Sequence, residues 1–285
     1  MGLHVGMKAA EECRFCLEGL LRQAAGLATG DPDLRAEVIS AGISLLDREF
    51  STGKTSIAVA TPLHRLVRRM TANPDPYAGV KDAEVEMASR ILESVACDDG
   101  DCLAECLVFA VRGNSIDFFK EPGEIMEAMT GSVEFVIDDS VRLSESVRSA
   151  TSILYLADNA GEVPFDLPLV RWLGRHAPVT YAVKESAVQD DITISDLERY
   201  AMAGDLPRVI STGTDTPGVV MEMASDEFRQ EFAAADLVLA KGMGYWETLS
   251  ELPAEGKVFH LLKAKCPPVA GSLGVPLNSY VACAR

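Results

Sequence analysis

From about residue 130 onward, short apolar runs recur at 133–137, 153–156, 179–183, 209–210, 237–240 and 258–262, with helix-length stretches between them. Runs this short and this continuously apolar suit strands buried on both faces, as in a parallel sheet. Strands alternating with helices place helical layers on both sides of that sheet. The expected fold class is therefore α/β, with a Rossmann-like three-layer α/β/α domain and a mainly parallel sheet over residues 131–285. Residues 1–130 read instead as a helical N-terminal region. Leu17, Leu20, Leu21, Ala24 and Leu27 recur at spacings of three and four, one face of a helix over 11–28. Asp31-Pro-Asp33 restarts a helix with proline in the first turn, and Leu34, Val38, Ile39, Leu45 and Leu46 continue its stripe. A further helix is expected after Thr61-Pro62 and another over 80–95. Asn73-Pro-Asp-Pro-Tyr77 makes the turning connection between them.

Charge narrows the partners. Lys and Arg total 26 against 43 Asp and Glu, a formal net charge of −17. Nucleic acid and anionic lipid need basic patches, so neither is an expected partner. A phosphorylated substrate would be repelled too, unless a cation sits where its phosphate binds. No apolar run is long enough to span a membrane. The first residues lack the apolar core of a secretory signal, and seven cysteines make an odd count. A cytoplasmic protein with reduced thiols is the expectation.

Three strand ends carry chemistry. Ile153-Leu-Tyr-Leu-Ala-Asp-Asn-Ala-Gly-Glu162 runs an apolar strand into Asp158 and Asn159; Gly161 then permits a tight turn, and Glu162 opens the next helix. Ligands of open α/β sheets bind at the carboxyl ends of strands, although Asp and Asn also make turns and caps there. The strand at 179–183 leads to Asp190 and Asp191 ahead of a helix from Ile194, where one of the two acids could cap that helix. Oxygen donors converging from separate loops suit a hard cation such as Mg²⁺. The third strand ends in Lys241-Gly-Met-Gly244, a lysine and close backbone N–H groups fit for a phosphate, or simply a solvated lysine at a turn. Ser51-Thr-Gly-Lys-Thr55 imitates a P-loop, but Arg48 stands where the first glycine is required and the preceding segment is helical.

Taken together, these segments resemble the damage-control phosphatase family, formerly domain of unknown function 89. The resemblance spans nearly the whole chain. It runs through Cys13-x-x-Cys16, Asp75-Pro-Tyr77 with Lys81, Arg112-Gly-Asn-Ser-Ile-Asp117, Ala157-Asp-Asn-Ala-Gly-Glu162 and Asp190-Asp-x-Thr193. It continues in Gly213-x-Asp215-x-x-Gly218, Lys241-Gly242 with Glu247-x-Leu249, and Lys265-Cys266, with the cysteines pointing to the archaeal and microbial branch. The resemblance implies a divalent metal (Mg, Mn, Co or Ni) held by Asp158, Asn159 and Asp191, and hydrolysis of small phosphate monoesters. Sugar phosphates, phosphopantetheine-type compounds and damaged metabolites are the implied substrates. It further implies Lys241 as a phosphate-binding lysine and places Asn114 and Asp117 near the same pocket; Glu162 and the backbone N–H groups near Gly242 are further candidates for contact with the substrate. Tyr245 stands where the family often has Asn. Two carboxylates and one carboxamide around a divalent cation leave a shell near zero charge. A third carboxylate would repel phosphate, by about 4 kcal/mol for unit charges 4 Å apart at an effective dielectric near 20. Asp158 serves either as a metal ligand or as a nucleophile forming an aspartyl phosphate; Glu162 either holds a water or starts its helix.

Cys13 and Cys16 lie one helical turn apart and make half of a zinc site, yet no second pair and none of His4, His64, His176 and His260 has matching spacing. A structural metal there is the weaker expectation, against core packing or a redox pair. The rival function is a non-catalytic module that holds a nucleotide or sugar phosphate without turnover. Haloacid-dehalogenase chemistry needs Asp-x-Asp after its strand, and position 160 is Ala.

Overall fold

A computed structural model describes residues 7–94, 102–114, 131–253 and 255–285. The helical half opens with α1 (Cys13–Ala28), whose Leu17, Leu21, Ala24 and Ala25 are buried. Asp31 caps α2 (Pro32–Glu49) by accepting from the N–H groups of Asp33 and Leu34, with proline at the first helical position as expected. The next helix departs from expectation. It begins at Ser56, capped by Thr55, and Pro62 lies inside it: α3 is Ser56–Thr71. Pro62 forgoes its bond to the carbonyl of Ala58. Buried Ile57, Val59, Ala60, Leu63 and Val67 continue one apolar stripe across the proline, so packing outweighs that lost bond. Helices α4 (Ala78–Ser94) and α5 (Leu103–Gly113) follow. The domain boundary expected at 130/131 borders a stretch, 115–130, outside the described residues.

The α/β class holds. Seven strands, β1 (Phe135–Asp138), β2 (Ile153–Leu156), β3 (Val179–Val183), β4 (Arg208–Ser211), β5 (Leu237–Lys241), β6 (Val258–Lys263) and β7 (Tyr280–Ala284), form one sheet in the order β1-β7-β6-β5-β2-β3-β4. All pairs are parallel except β6 with β7. Six strands match the apolar runs; β7 does not, because its Tyr-Val-Ala-Cys-Ala sequence carries little β signal of its own. From β2 the chain steps to β3 and β4 on one side, then returns to lay β5 on the other. That reversal leaves a crevice at the carboxyl ends of β2 and β5, the usual place for a ligand in an open α/β sheet.

Helices α6 (Ser140–Ser149), α7 (Val163–Gly174), α8 (Ile194–Arg199), α9 (Asp226–Ala234), α10 (Gly242–Leu249) and α11 (Pro267–Leu273) complete the described elements. One sheet face buries Tyr155, Tyr181 and Leu239 with Leu107 of α5 and Leu173 of α7; the other buries Leu154, Leu156 and Val238 with Phe228, Phe232, Tyr245 and Leu249. Ion pairs tie the helical half to the sheet. The Lys81 ammonium in α4 lies 2.7 Å from both Asp75 and Asp196. Arg65 and Arg68 of α3 both hold Asp215 in the loop after β4. Among the described residues no helix is long and apolar enough to cross a membrane.

Candidate active site

The two expected metal-ligand segments are joined through their backbones. The N–H of Ile192 donates to the carbonyl of Asp158 (2.9 Å), and that of Ala160 to Asp190 (2.8 Å), so Asn159 and Asp191 pair as an antiparallel bridge beyond the sheet. Neither segment is consumed by capping. Thr193 caps α8 through a reciprocal capping box with Asp196, which leaves Asp190 and Asp191 out of that role. Asn159 and Glu162 precede helical turns without any side-chain capping bond. Gly161 has no left-handed backbone to explain it; a Cβ there would meet the Cβ of Glu84 at 2.9 Å, so close packing on α4 is its reason. Gln189 does take a positive φ, 48°, in the loop that turns Asp190 and Asp191 toward β2.

Asp158 and Asp191 are buried side by side. Burial, then the charges of Glu162 and Asp191, hold the Asp158 carboxyl well above the usual carboxylate range. Burial likewise lifts Asp191 to about 7, against the pull of nearby Lys184. One oxygen of Asp191, Oδ2, is buried with no hydrogen-bond partner. Two buried acids, one with a partnerless oxygen, fit a hard divalent cation. Asn159 adds a neutral oxygen to that set. Among the described residues no three His, Cys, Asp or Glu side chains are arranged to hold a metal ion. The same holds at Cys13 and Cys16, and every described cysteine is unbridged.

Lys241 is not the free lysine that its sequence suggested. Its ammonium donates to the carbonyl of Ala110 (3.0 Å), to Glu162 (2.8 Å) and to Asp166 (2.5 Å), all in the interior. Burial opposes its charge, but Asp166 and Glu162 outweigh burial and hold it above the ordinary lysine range. Glu162 turns its other oxygen to two amides, Asn114 at 2.7 Å and Asn159 at 3.1 Å. Asn114 spends its second N–H on Asp158 (3.3 Å), and its carbonyl accepts from the backbone N–H of Lys263 (3.2 Å). Gly242 has φ +77°, and a Cβ on it would stand 1.8 Å from Asp158 Oδ2. The missing side chain makes room for the acid. Asp117 lies outside the described residues.

Above the acids opens a cavity of about 320 Å³ between the helical half and the sheet. Its floor is Asp158, Asn159, Asp190, Asp191 and Asn114; Gln23, Ser56 and Tyr77 face it from the helices; Met243, Gly244, Glu247 and Lys265 close the side of β5 and β6. Lys241, Glu162 and Gly242 do not line it. Lys265 is the one lysine or arginine among its described lining residues. Tyr245 is also away from the cavity. Its hydroxyl accepts from Lys184 (2.9 Å), whose ammonium sits 4.2 Å from the ring centroid and also donates to Gly218.

The profile of the ARMT1-like damage-control phosphatase domain matches residues 9–281. The chain belongs to that family. A Pyrococcus horikoshii protein named damage-control phosphatase is 34% identical over 285 residues, covering 98% of each chain. One of that name from Archaeoglobus fulgidus is 28% identical, covering 97% of this chain and 99% of its own. The crystal structure of a Pyrococcus horikoshii protein of the domain-89 family superposes with a TM-score of 0.86 at 33% identity, over 98% of this chain and 99% of that one. The resemblance carried by the motifs is thereby borne out.

Several residues of this damage-control phosphatase family member escaped the sequence reading. Asp166 lies one turn into α7 and gave no sign of being the second acid on Lys241. Lys184, one residue past β3, is fully buried beside Asp191. Gln23 and Tyr77 reach the cavity from the helical half, where they are hydrogen-bonded to each other (2.9 Å). Lys265 was visible only as one half of the Lys-Cys pair.

Proposed function

We propose that this protein is a metal-dependent phosphatase that hydrolyses small phosphate monoesters, in the class of sugar phosphates, phosphopantetheine-type compounds and damaged metabolites. Family membership and the names of the relatives support a phosphatase. The observation that carries metal dependence is the partnerless Asp191 Oδ2 beside Asp158, with the Asn159 amide adjacent, at the floor of a cavity sized for a small metabolite. Asp158, Asn159 and Asp191 would hold the cation. When bound, a divalent metal supplies charge for a phosphoryl group and acidifies a water.

The chain's own groups divide the remaining work. Asn114 steadies Asp158 through its amide. Lys265, rather than the saturated Lys241, is the cation available to a phosphate oxygen within the cavity. Gln23 and Tyr77, from the helical half, and Glu247, at the opposite wall, offer hydrogen bonds to the rest of a substrate. A reducing cytoplasm suits the unbridged cysteines.

Hydrolysis of an aryl phosphate and a panel of metabolite phosphates, with Mg²⁺, Mn²⁺, Co²⁺ or Ni²⁺ and after chelation, tests the proposal. Activity should need a divalent metal and vanish in Asp158→Ala and Asp191→Asn. Activity that survives chelation overturns metal dependence. Tight binding of phosphorylated metabolites with no turnover under any metal favours the non-catalytic binding module instead.

A further inference from the structure

We infer that Lys241 is a positioning residue that acts through Glu162 to fix which atoms of Asn159 and Asn114 face the acids. The inference rests on the metal-binding reading of Asp158, Asn159 and Asp191. An ammonium has three N–H groups, and those of Lys241 meet three acceptors in Ala110, Glu162 and Asp166 at 3.0, 2.8 and 2.5 Å. The Lys241 side chain is 0% exposed and its two acids 1% each, so no donor is left to reach into the cavity.

What the pairing accomplishes is legible in the Glu162 carboxylate. Oε2 belongs to Lys241, and Oε1 accepts from both amides, Asn114 at 2.7 Å and Asn159 at 3.1 Å. An amide presents donors at one end and an acceptor at the other. Drawing the Asn159 Nδ2 onto Glu162 therefore turns its Oδ1 outward as a neutral oxygen ligand. Released from Glu162, the same side chain could rotate and offer N–H groups, which repel a cation. Asn114 is held the same way at its nitrogen and, at its oxygen, by the backbone of Lys263, so its second N–H is aimed at Asp158 Oδ2. Lys241 also cancels one of the two acid charges around it, so Glu162 and Asp166 together leave a single negative charge beside the metal shell. Outer partners of this kind alter metal affinity by about 10–100-fold when removed.

The test compares wild type with Lys241→Met, Glu162→Gln and Lys265→Met. Mn²⁺ affinity is measured by titration calorimetry, inorganic phosphate inhibition at saturating Mn²⁺, and melting temperature in chelator. Lys241→Met and Glu162→Gln should weaken Mn²⁺ binding about 10–100-fold and lower kcat, with KM and the phosphate inhibition constant within about two-fold of wild type. Lys265→Met should do the reverse, weakening phosphate inhibition and leaving Mn²⁺ affinity alone. If Lys241→Met fails to fold, Glu162→Gln keeps the side-chain volume and carries the comparison. Unchanged Mn²⁺ affinity in the folded variants overturns this inference alone, as does a Lys241→Met that loses phosphate inhibition and keeps its metal. Wild type that binds no divalent cation overturns the metal reading, and the inference with it.

Discussion

Replacing Gly242 by alanine separates two reasons for a glycine at the end of β5. The backbone there has φ +77°, and the added Cβ would sit 1.8 Å from Oδ2 and 2.5 Å from Cγ of Asp158. A left-handed conformation alone costs an alanine about 1–2 kcal/mol. The clash adds about 1–3 kcal/mol of overpacking, because Asp158 is buried and its Oδ2 accepts from Asn114, so the carboxyl moves aside only by giving up that bond. Gly274, the C-cap of α11, provides the control: φ +70° with nothing within 4 Å of its Cβ, hence strain without collision. Thermal melts in chelator should place Gly274→Ala slightly below wild type and Gly242→Ala lower still, by roughly 2–4 °C for each additional kcal/mol. Only Gly242→Ala should also lose Mn²⁺ binding and phosphatase activity, since it displaces Asp158, the proposed ligand. Equal melting temperatures for the two variants, with Gly242→Ala fully active, would refute the steric argument and return Gly242 to a backbone role toward substrate.

Two other expectations concern buried charge. Lys81→Met leaves Asp75 and Asp196 without the cation that lies 2.7 Å from each, so it should destabilise by about 3–5 kcal/mol. Because Asp196 also holds Thr193, activity should fall in step as the 190–193 loop loosens; denaturant melts and kcat/KM measure the two effects. His260 is fully buried with neither ring nitrogen hydrogen-bonded, and burial, then Arg285, depresses its pKa to about 3. Below its ordinary value near 6.5 the unfolded chain takes up a proton that the folded protein refuses. Stability is therefore lost as pH falls from about 6.5 toward 3. His260→Phe removes that loss, so wild type should weaken by about 2 kcal/mol relative to the variant between pH 7 and pH 5. A pH-independent difference between them would contradict the buried, neutral imidazole.

Much of the architecture is written in local pattern. Strand β2 is Ile-Leu-Tyr-Leu, buried on both faces, a run that suits a central parallel strand. Asp31 with Pro32 marks the start of α2 because capping depends on neighbours two and three residues away. Placing Asp158, Asn159 and Asp191 at adjoining strand ends follows from the same alternation, once the order of strands is known. Where the sequence reading missed, long-range packing had the decision. Pro62 stays inside α3 because a core stripe runs across it, and β7 is recruited by pairing with β6 and β1.

The division is sharpest at Lys241. Its position at the end of a strand before two glycines is local information, and that alone reads as a lysine waiting for phosphate. Its partners are Ala110, 131 residues earlier, and Glu162 and Asp166, 79 and 75 residues earlier. Only folding brings a carbonyl from α5 and two acids from the turn before α7 and from α7 itself around one ammonium. Hydrophobic period and capping chemistry act over a few residues, so they are readable along the chain; the hydrogen-bond saturation of a buried charge depends on every segment packed against it, so it exists only in three dimensions.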